Sequence, residues 1–495
     1  AAYCLSHEQV LKLADFKESS AMRLPLWVTA SCDIMPFDGQ TPNIGETAMQ
    51  NQKGGAIAFF GTTRTVYSDR NMRINRAFMR NVLTQEDGQM VPIGEAVRRS
   101  KNGLITATDA DERDVTQNKL QYTLLGDPAL RLAAPTLQVR IDSVNGQDAT
   151  AATLRKIAAG HLVRVKGHVV DQPAFNGIVT LTVRDAEETV VCRQNDSSQT
   201  DEPFLFKDRP NTVYSGSDSI RNGQFDITFA VPIDISFADE NGQMLAFAVS
   251  SNHQDVAHGE FTNFQFNSAD DTGSDGVGPS IYCYLNDESF VNGDAVNHTP
   301  FFYAQVSDKD GINGAGNGIG HFMELVVDGQ TSLTYDLTNY FAYDFGDYRS
   351  GTVGYSIPAL SAGKHQLVFR AWDVLNNSST ATLDFHVDPR QRPRLASVVC
   401  TKNPATTQTS FVITHNREGS EMDVVLEIFD TSGRKLWQHA ETGVPTDRTY
   451  TIDWDLTTDS GSKLRSGVYL YRLLVSSNGS SEASEAQKII ILYGN

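Results

Sequence analysis

The residue best placed to do chemistry is Cys32, which ends a short apolar run, Leu-Trp-Val-Thr-Ala-Ser-Cys-Asp, at residues 26–33. Such a run is typical of a buried β-strand. A second apolar run with the same small-residue exit follows at residues 54–64. Ligands and reacting groups collect beyond the carboxyl ends of strands in open α/β sheets. We therefore expect two strands that flank a glycine-rich, helix-poor crossover to form half of an active-site floor. Cys32 is the candidate nucleophile, and a packing role is the alternative, since free cysteine is commonly buried.

The elements that must position Cys32 alternate between helix and strand. Apolar periodicity predicts helices over residues 6–16, 71–83 and 93–102, a polar loop over 109–118 and a final strand over 121–125. This α/β portion ends near Ala134 and contains too few strands for a complete domain. His7 is the only histidine before Cys32, and we expect it to be a surface residue at the start of the first helix.

From Pro135 onward the pattern changes to alternating apolar residues separated by turn residues, which predicts β-sandwiches. Strands are predicted at residues 136–143, 162–170, 177–183, 223–231, 243–250, 280–285, 301–306, 321–328, 354–357 and 364–373, and further ones after residue 393. The serine- and glycine-rich residues 267–278 predict a linker, and so do residues 388–394, with two prolines and three arginines. The predicted domains are 1–134, 135–278, 279–392 and 393–495.

The glycine-rich run at residues 311–321 does not predict a nucleotide site, because it leads into a strand and a dinucleotide loop must open a helix. Asp308-Lys309-Asp310-Gly311 hints at a calcium loop, but Ile319 stands where a ligating glutamate is needed. We therefore expect a plain hairpin loop there, with no metal and no cofactor in the chain.

Composition excludes some functions. The 60 acidic and 41 basic residues give a net charge of −19, which argues against nucleic acid as a partner. The five cysteines, Cys4, Cys32, Cys192, Cys283 and Cys400, are too scattered to indicate a disulfide framework or a metal cluster. A chain of 495 residues is long enough for several domains.

Three motifs carry a resemblance. They are VTASCDIMPFDG at residues 28–39, KGGAIAFFGTTRTVYS at 53–68 and KLQYTLLGDPALRLAAP at 119–135. In this order they resemble the gingipain-like cysteine peptidases. The resemblance implies a caspase-like fold, of which residues 1–134 are the C-terminal part, and places the nucleophile at Cys32. It also implies a general-base histidine in a His-Gly stretch, which we expect just upstream of Ala1.

Later blocks are similar to a more specialised group. Residues 318–321, 370–373 and 376–379 resemble the β domain that follows the catalytic domain in cell-surface sortases of the type IX secretion system. The motif order in residues 393–495 resembles a type IX C-terminal domain, with an ordinary Ig-like sandwich as the alternative.

This second resemblance implies a function. The enzyme would remove the C-terminal sorting domain from secreted cargo and join the mature protein to anionic lipopolysaccharide through a thioester at Cys32. The implied partners are the cargo proteins, anionic lipopolysaccharide and the outer-membrane barrel PorV, and the implied location is the outer membrane at the cell surface. The alternatives are a gingipain-type secreted protease that only hydrolyses its substrates and a non-catalytic surface scaffold.

Overall fold

The computed structural model describes most of the chain. The described residues are 3–5, 11–19, 24–39, 42–51, 54–192, 202–235, 240–268, 273–316, 320–388, 390–445, 448–477 and 479–492. The chain divides into two compact units, unit 1 with residues 1–137 and unit 2 with residues 138–495. Within these residues no helix combines the length and the apolar character needed to cross a membrane.

Unit 1 is built on a three-stranded sheet of Leu26–Val28, Ala58–Thr62 and Tyr122–Gly126, in that order. The first two strands are parallel, with Leu26 opposite Ala58, and the third is antiparallel. All three of these strands were predicted from the sequence, at residues 26–33, 54–64 and 121–125. Around the sheet lie helices α1 (Leu13–Glu18), α2 (Ile44–Gln50), α3 (Ser68–Val82) and α4 (Ile93–Thr106), a 3-10 helix (Gln117–Gln121), and the two-stranded pairs Cys4–Leu5 with Leu11–Lys12 and Gln85–Glu86 with Gln89–Met90.

The central strand Ala58–Thr62 is buried along its whole length because helices cover both faces of the sheet. Its side chains alternate between the faces, as the pleat requires. Phe60 packs in a cluster with Phe78 of α3 and residues of α4, whereas Phe59 packs in a second cluster with Ile44 of α2. Unit 1 is therefore a layered α/β arrangement.

The helices show which predictions failed. Those over 71–83 and 93–102 are confirmed as α3 and α4. The helix expected over 6–16 is misplaced, since Leu11–Lys12 is a strand and α1 begins at Leu13; His7 lies outside the described residues. The crossover, expected to be helix-poor, contains the short helix α2, and the Glu46 N–H of that helix donates to the side chain of the capping residue Asn43. A seven-residue helix containing a glycine gives little periodic signal, which is why the sequence did not reveal it.

Unit 2 is built of β-strands. Residues 138–268, the first β module, form a sheet in the order Thr212–Ile220, Gly177–Arg184, Gln243–Ser250, Val256–Phe261, Leu137–Val144, Leu162–Val169, Gln224–Ala230, with Gln147–Asp148 beside Leu137–Val144. Arg155–Ala158 pairs with Phe264–Asn267, and Glu188–Cys192 with Phe204–Asp208. The five predicted strands of this module are confirmed, and the others were not foreseen.

Residues 279–388, the second β module, form a four-stranded and a five-stranded sheet that enclose one core. The first sheet has the order Ser280–Leu285, Phe301–Ser307, Ser350–Ser356, Phe341–Tyr343, and the second has Ala295–Val296, Ser378–Val387, Gly363–Trp372, Glu324–Val327, Thr334–Asp336. Short 3-10 turns occupy Thr331–Leu333 and Thr338–Tyr340. The glycine-rich run leads towards the strand Glu324–Val327, so its described residues are not the start of a helix.

Residues 393–492, the third β module, also enclose a core of their own. Three strands form one sheet in the order Leu395–Cys400, Thr409–His415, Thr449–Trp454. The other sheet has the order Lys435–Gly443, Met422–Phe429, Gly467–Ser477, Ser480–Ala483, with Gln487–Ile491 also paired to Gly467–Ser477.

The junction before the third module differs from a free linker. The side chains of Arg390, Arg392 and Arg394 are exposed, as expected. The backbone, however, is bonded on both sides: the carbonyl of Arg390 accepts from Ser480 Oγ at 2.8 Å and that of Gln391 accepts from Arg417 Nη2 at 2.9 Å. These partners lie far along the chain, so local composition could not reveal them.

Candidate functional site

Cys32 lies just beyond the carboxyl end of the strand Leu26–Val28, where the sequence placed it. The chain stays beside the central strand through this exit, with Thr29 N–H donating to the Phe60 carbonyl at 3.0 Å and Met35 N–H to the Thr62 carbonyl at 3.0 Å. Asp33 adopts φ of +48°, a left-handed conformation that turns the chain directly after the cysteine. Cys32 is thus presented by a turn fixed against the sheet.

The sulfur of Cys32 is half-buried, unpaired with another cysteine, and contacts one backbone segment. Its S–H donates to the Val66 carbonyl at 3.2 Å, and the Val66 N–H lies 3.5 Å from the sulfur. Val66 lies two residues before the start of α3. The segment therefore offers an acceptor to the neutral thiol and a donor to the thiolate.

A buried polar network lies beside this contact. Asn71 of α3 and Asn118 of the 3-10 helix are each 5% exposed, and the Asn118 amide donates to Asn71 Oδ1 at 3.4 Å. Asn71 donates in turn to the Ala30 carbonyl at 3.5 Å, and Asn118 Oδ1 accepts from the Tyr67 N–H at 2.8 Å. The sequence prediction missed both asparagines. The available signal was Asn71 itself, a polar residue on the same helix face as Ile74, Phe78 and Val82.

Tyr122 completes the floor of the site. Its side chain is fully buried, and its hydroxyl accepts from the Asn75 amide at 2.9 Å. Burial raises the pKa of Tyr122 well above the ordinary value, the Asn75 hydrogen bond lowers it, and charge on Cys32 raises it further. Tyr122 therefore stays protonated at neutral pH.

The rim of the site is polar and exposed. Arg64 forms a two-point pair with Asp38, at 3.0 and 2.6 Å, and the Arg64 hydrogen bond lowers the pKa of that carboxyl. Thr65 donates to Asp33 Oδ2 at 2.8 Å. These contacts join the loop after Cys32 to the loop after the central strand.

Two components of a cysteine-peptidase site can be assessed directly. Within the described residues, the Cys32 N–H donates to no acceptor, so it is free to serve an oxyanion. No histidine other than His7 occurs in residues 1–137, and His7 lies outside the described part. The described residues of unit 1 therefore supply a thiol and an N–H donor but no imidazole base.

The suspected calcium loop belongs to unit 2. Asp310 comes together with Asp275 and Asp373, with one carboxylate oxygen of each within 4.8 Å of the others. Lys309 pairs with Asp275 at 2.9 Å and supplies a positive charge there. Asp373 accepts from Leu375 and Asn377. Ile319 lies outside the described residues. These carboxylates could hold a cation, but they are not near Cys32 in sequence and belong to the other unit.

Comparison with known proteins agrees with the motif resemblance. Residues 1–133 match the model of Peptidase family C25. The resemblance of the N-terminal motifs to the gingipain family of cysteine peptidases is thus confirmed over this segment. No curated protein sequence matches the chain.

Three solved structures show similarity. The crystal structure of dimeric latent PorU from Porphyromonas gingivalis is 32% identical over 89% of this chain, with a TM-score of 0.38. This chain spans 41% of that PorU chain. A tetra-tandem repeat from the extending region of a large adhesion protein is 14% identical, covering 72% of this chain and 74% of its own, with a TM-score of 0.19. The FN1–FN3 domains of chicken CNTN1 are 10% identical, covering 72% and 98%, with a TM-score of 0.17.

Proposed function

We propose that this chain carries the nucleophile of a cysteine peptidase of family C25, and that Cys32 is that nucleophile. The observation that carries the proposal is the position of Cys32. It is a half-buried free thiol, at the carboxyl end of a parallel strand, inside the segment that matches family C25. The proposed fold of residues 1–134 is caspase-like, and the β modules are proposed to be Ig-like.

The chemistry follows from the groups around the sulfur. The thiolate attacks the carbonyl carbon of a peptide bond, and the Cys32 N–H donates to the developing oxyanion. The C–N bond then breaks, a thioester remains on Cys32, and the amine leaves with a proton from the general acid. The resemblance to the gingipain-like cysteine peptidases implies that this acid and base is a histidine N-terminal to residue 1, and the described residues of unit 1 contain no histidine.

The fate of the thioester distinguishes a sortase from a protease. We propose that an amine of anionic lipopolysaccharide attacks the thioester, so that an amide forms and the thiol is restored. The 32% identity to PorU supports this version of the proposal. It includes cargo with C-terminal sorting domains as substrate, PorV as an outer-membrane partner, and the cell surface as the location. Residues 393–495 are proposed to be a type IX C-terminal domain retained on the enzyme.

The test compares Cys32→Ala with Cys192→Ser in the full-length protein, using a cargo that carries its sorting domain. Cys192 is also half-buried, and it lies in unit 2, so it is a matched control. Cys32→Ala is expected to lower the cleavage rate by about a thousandfold or more, as loss of a nucleophile does. Cys192→Ser should cleave normally. Normal cleavage by Cys32→Ala would remove Cys32 from the mechanism.

A second measurement identifies the acceptor. Mass spectrometry of the released fragment, with a small amine present, should find an amide adduct, since a positioned amine competes with water for the thioester. A free carboxylate at every amine concentration would favour the hydrolytic protease.

A further inference from the structure

The peptide unit between Val66 and Tyr67 is bonded at both ends. Its carbonyl, from Val66, accepts the Cys32 thiol at 3.2 Å. Its N–H, from Tyr67, donates to Asn118 Oδ1 at 2.8 Å. The orientation of this peptide plane therefore decides whether the Val66 carbonyl faces the sulfur, and the side chain of Asn118 holds that plane.

This orientation matters because the two forms of the sulfur need different partners. The neutral thiol donates to the Val66 carbonyl, whereas the thiolate is repelled by that carbonyl and accepts from the Val66 N–H, 3.5 Å away. A small rotation of the segment changes the balance between the two forms. A group that fixes the peptide plane thus sets how readily Cys32 reacts.

Asn118 is itself held in place. It is 5% exposed, its own N–H donates to Thr116 Oγ1 at 3.3 Å, and its amide donates to Asn71 Oδ1 at 3.4 Å. Asn71 then donates to the carbonyl of Ala30, two residues before Cys32. The network thereby joins the strand that carries the sulfur to the backbone that the sulfur contacts.

An uncharged side chain that both donates and accepts is required at this position. Asn118 accepts from Tyr67 and donates to Asn71, and it does so without charge. A carboxylate keeps the acceptor, loses the donor and adds a negative charge two hydrogen bonds from the sulfur. An apolar side chain leaves a buried N–H and a buried carbonyl oxygen without partners.

We propose that Asn118 is a positioning residue for Cys32, acting by holding the Val66–Tyr67 peptide through which the sulfur is bonded. This proposal rests on the proposed function in that it concerns the same nucleophile. Its measurable consequence is the reactivity of the Cys32 thiol, which exists whether or not the chain cleaves peptides.

The experiment measures alkylation of Cys32 by iodoacetamide between pH 6 and 10 in the 495-residue chain, with the other four cysteines replaced by serine. The variant Asn118→Asp is nearly isosteric, and Asn102→Asp, at an exposed position of α4, is the control for added charge. Asn118→Asp should slow alkylation near pH 8 by about three- to tenfold and move the rate profile to higher pH, because a neighbouring like charge disfavours the thiolate. Asn102→Asp should leave the profile unchanged.

The titratable and charged groups on the surrounding elements include Asp33, Arg64, Tyr67, Asp69, Arg70, Arg73, Lys101, Asp114, Lys119 and Tyr122, and all are the same in parent and variant. A shift in the profile is therefore attributable to residue 118. Asn118→Ser, whose hydroxyl both donates and accepts, should remain closer to the parent than Asn118→Asp does.

An Asn118→Asp profile that coincides with the parent, in a protein with an unchanged near-ultraviolet circular dichroism spectrum, would overturn the proposal. So would an equal shift in Asn102→Asp. If the cleavage assay fails but the Asn118→Asp shift is found, the positioning role stands and the peptidase function falls; the reverse pattern removes only the positioning role.

Discussion

Arg448 is one of the side chains through which the third β module contacts the second, and removing it should loosen their docking. Its guanidinium lies 5.2 Å from the ring centre of Tyr284 and 5.9 Å from that of Tyr303, and it donates to the Tyr284 hydroxyl at 2.7 Å. Burial raises the pKa of Tyr284 to about 12, although the nearby Arg448 charge lowers it, so the hydroxyl remains a neutral acceptor.

The size of the effect follows from these contacts. Each cation–π contact is worth about 0.5–1 kcal/mol at a partly exposed site, and a hydrogen bond to a charged group about 1.5–3 kcal/mol. Allowing for non-additivity, Arg448→Ala should weaken docking by about 2 kcal/mol. That loss raises the population of the undocked module by about thirtyfold.

Trypsin reports this opening at the Arg390–Gln391 bond. The Arg390 carbonyl is bonded to Ser480, so the bond is protected while the module is docked. Cleavage should follow the open population and be about thirtyfold faster in Arg448→Ala. Arg472→Ala is the control, because Arg472 contacts Glu427 and Phe429 within the third module. An unchanged rate in Arg448→Ala, or an equal increase in Arg472→Ala, would refute the reasoning.

Two further outcomes are expected. Hydrogen bonds from Ser432 and Arg434 lower the pKa of Asp430 to about 2. Because the pKa of Asp430 is lower in the folded than in the unfolded protein, its stabilisation is present above about pH 4 and is lost as pH falls towards 2. The slope of the free energy of unfolding against pH in this window should flatten in Asp430→Asn. An unchanged slope would contradict the assignment. Burial raises the pKa of Cys283 to about 11. Iodoacetamide at pH 8 should therefore modify native Cys283 much more slowly than unfolded Cys283, and equal rates would show that the thiol is accessible and ionised.

Much of the fold could be predicted because local spacing determines it. Residues 162–169 alternate between exposed and buried along most of their length, and a strand forms there as the pattern indicates. Helix α3 buries Ile74, Phe78 and Val82 at helical spacing, which is also readable from the sequence. Helix α2 was missed because seven residues around Gly45 form too short a pattern.

The sequence by itself determined that Cys32 follows a short apolar strand, because an apolar run followed by small residues and a turn is a local property. Only the tertiary structure decided what surrounds the sulfur. Asn71 and Asn118 are 47 residues apart, and neither is exceptional in its own segment. The same holds for the junction at Arg390, whose partner Ser480 is 90 residues away. A hydrogen bond between groups so far apart in the sequence depends on the packing of whole elements, and residue spacing does not predict it.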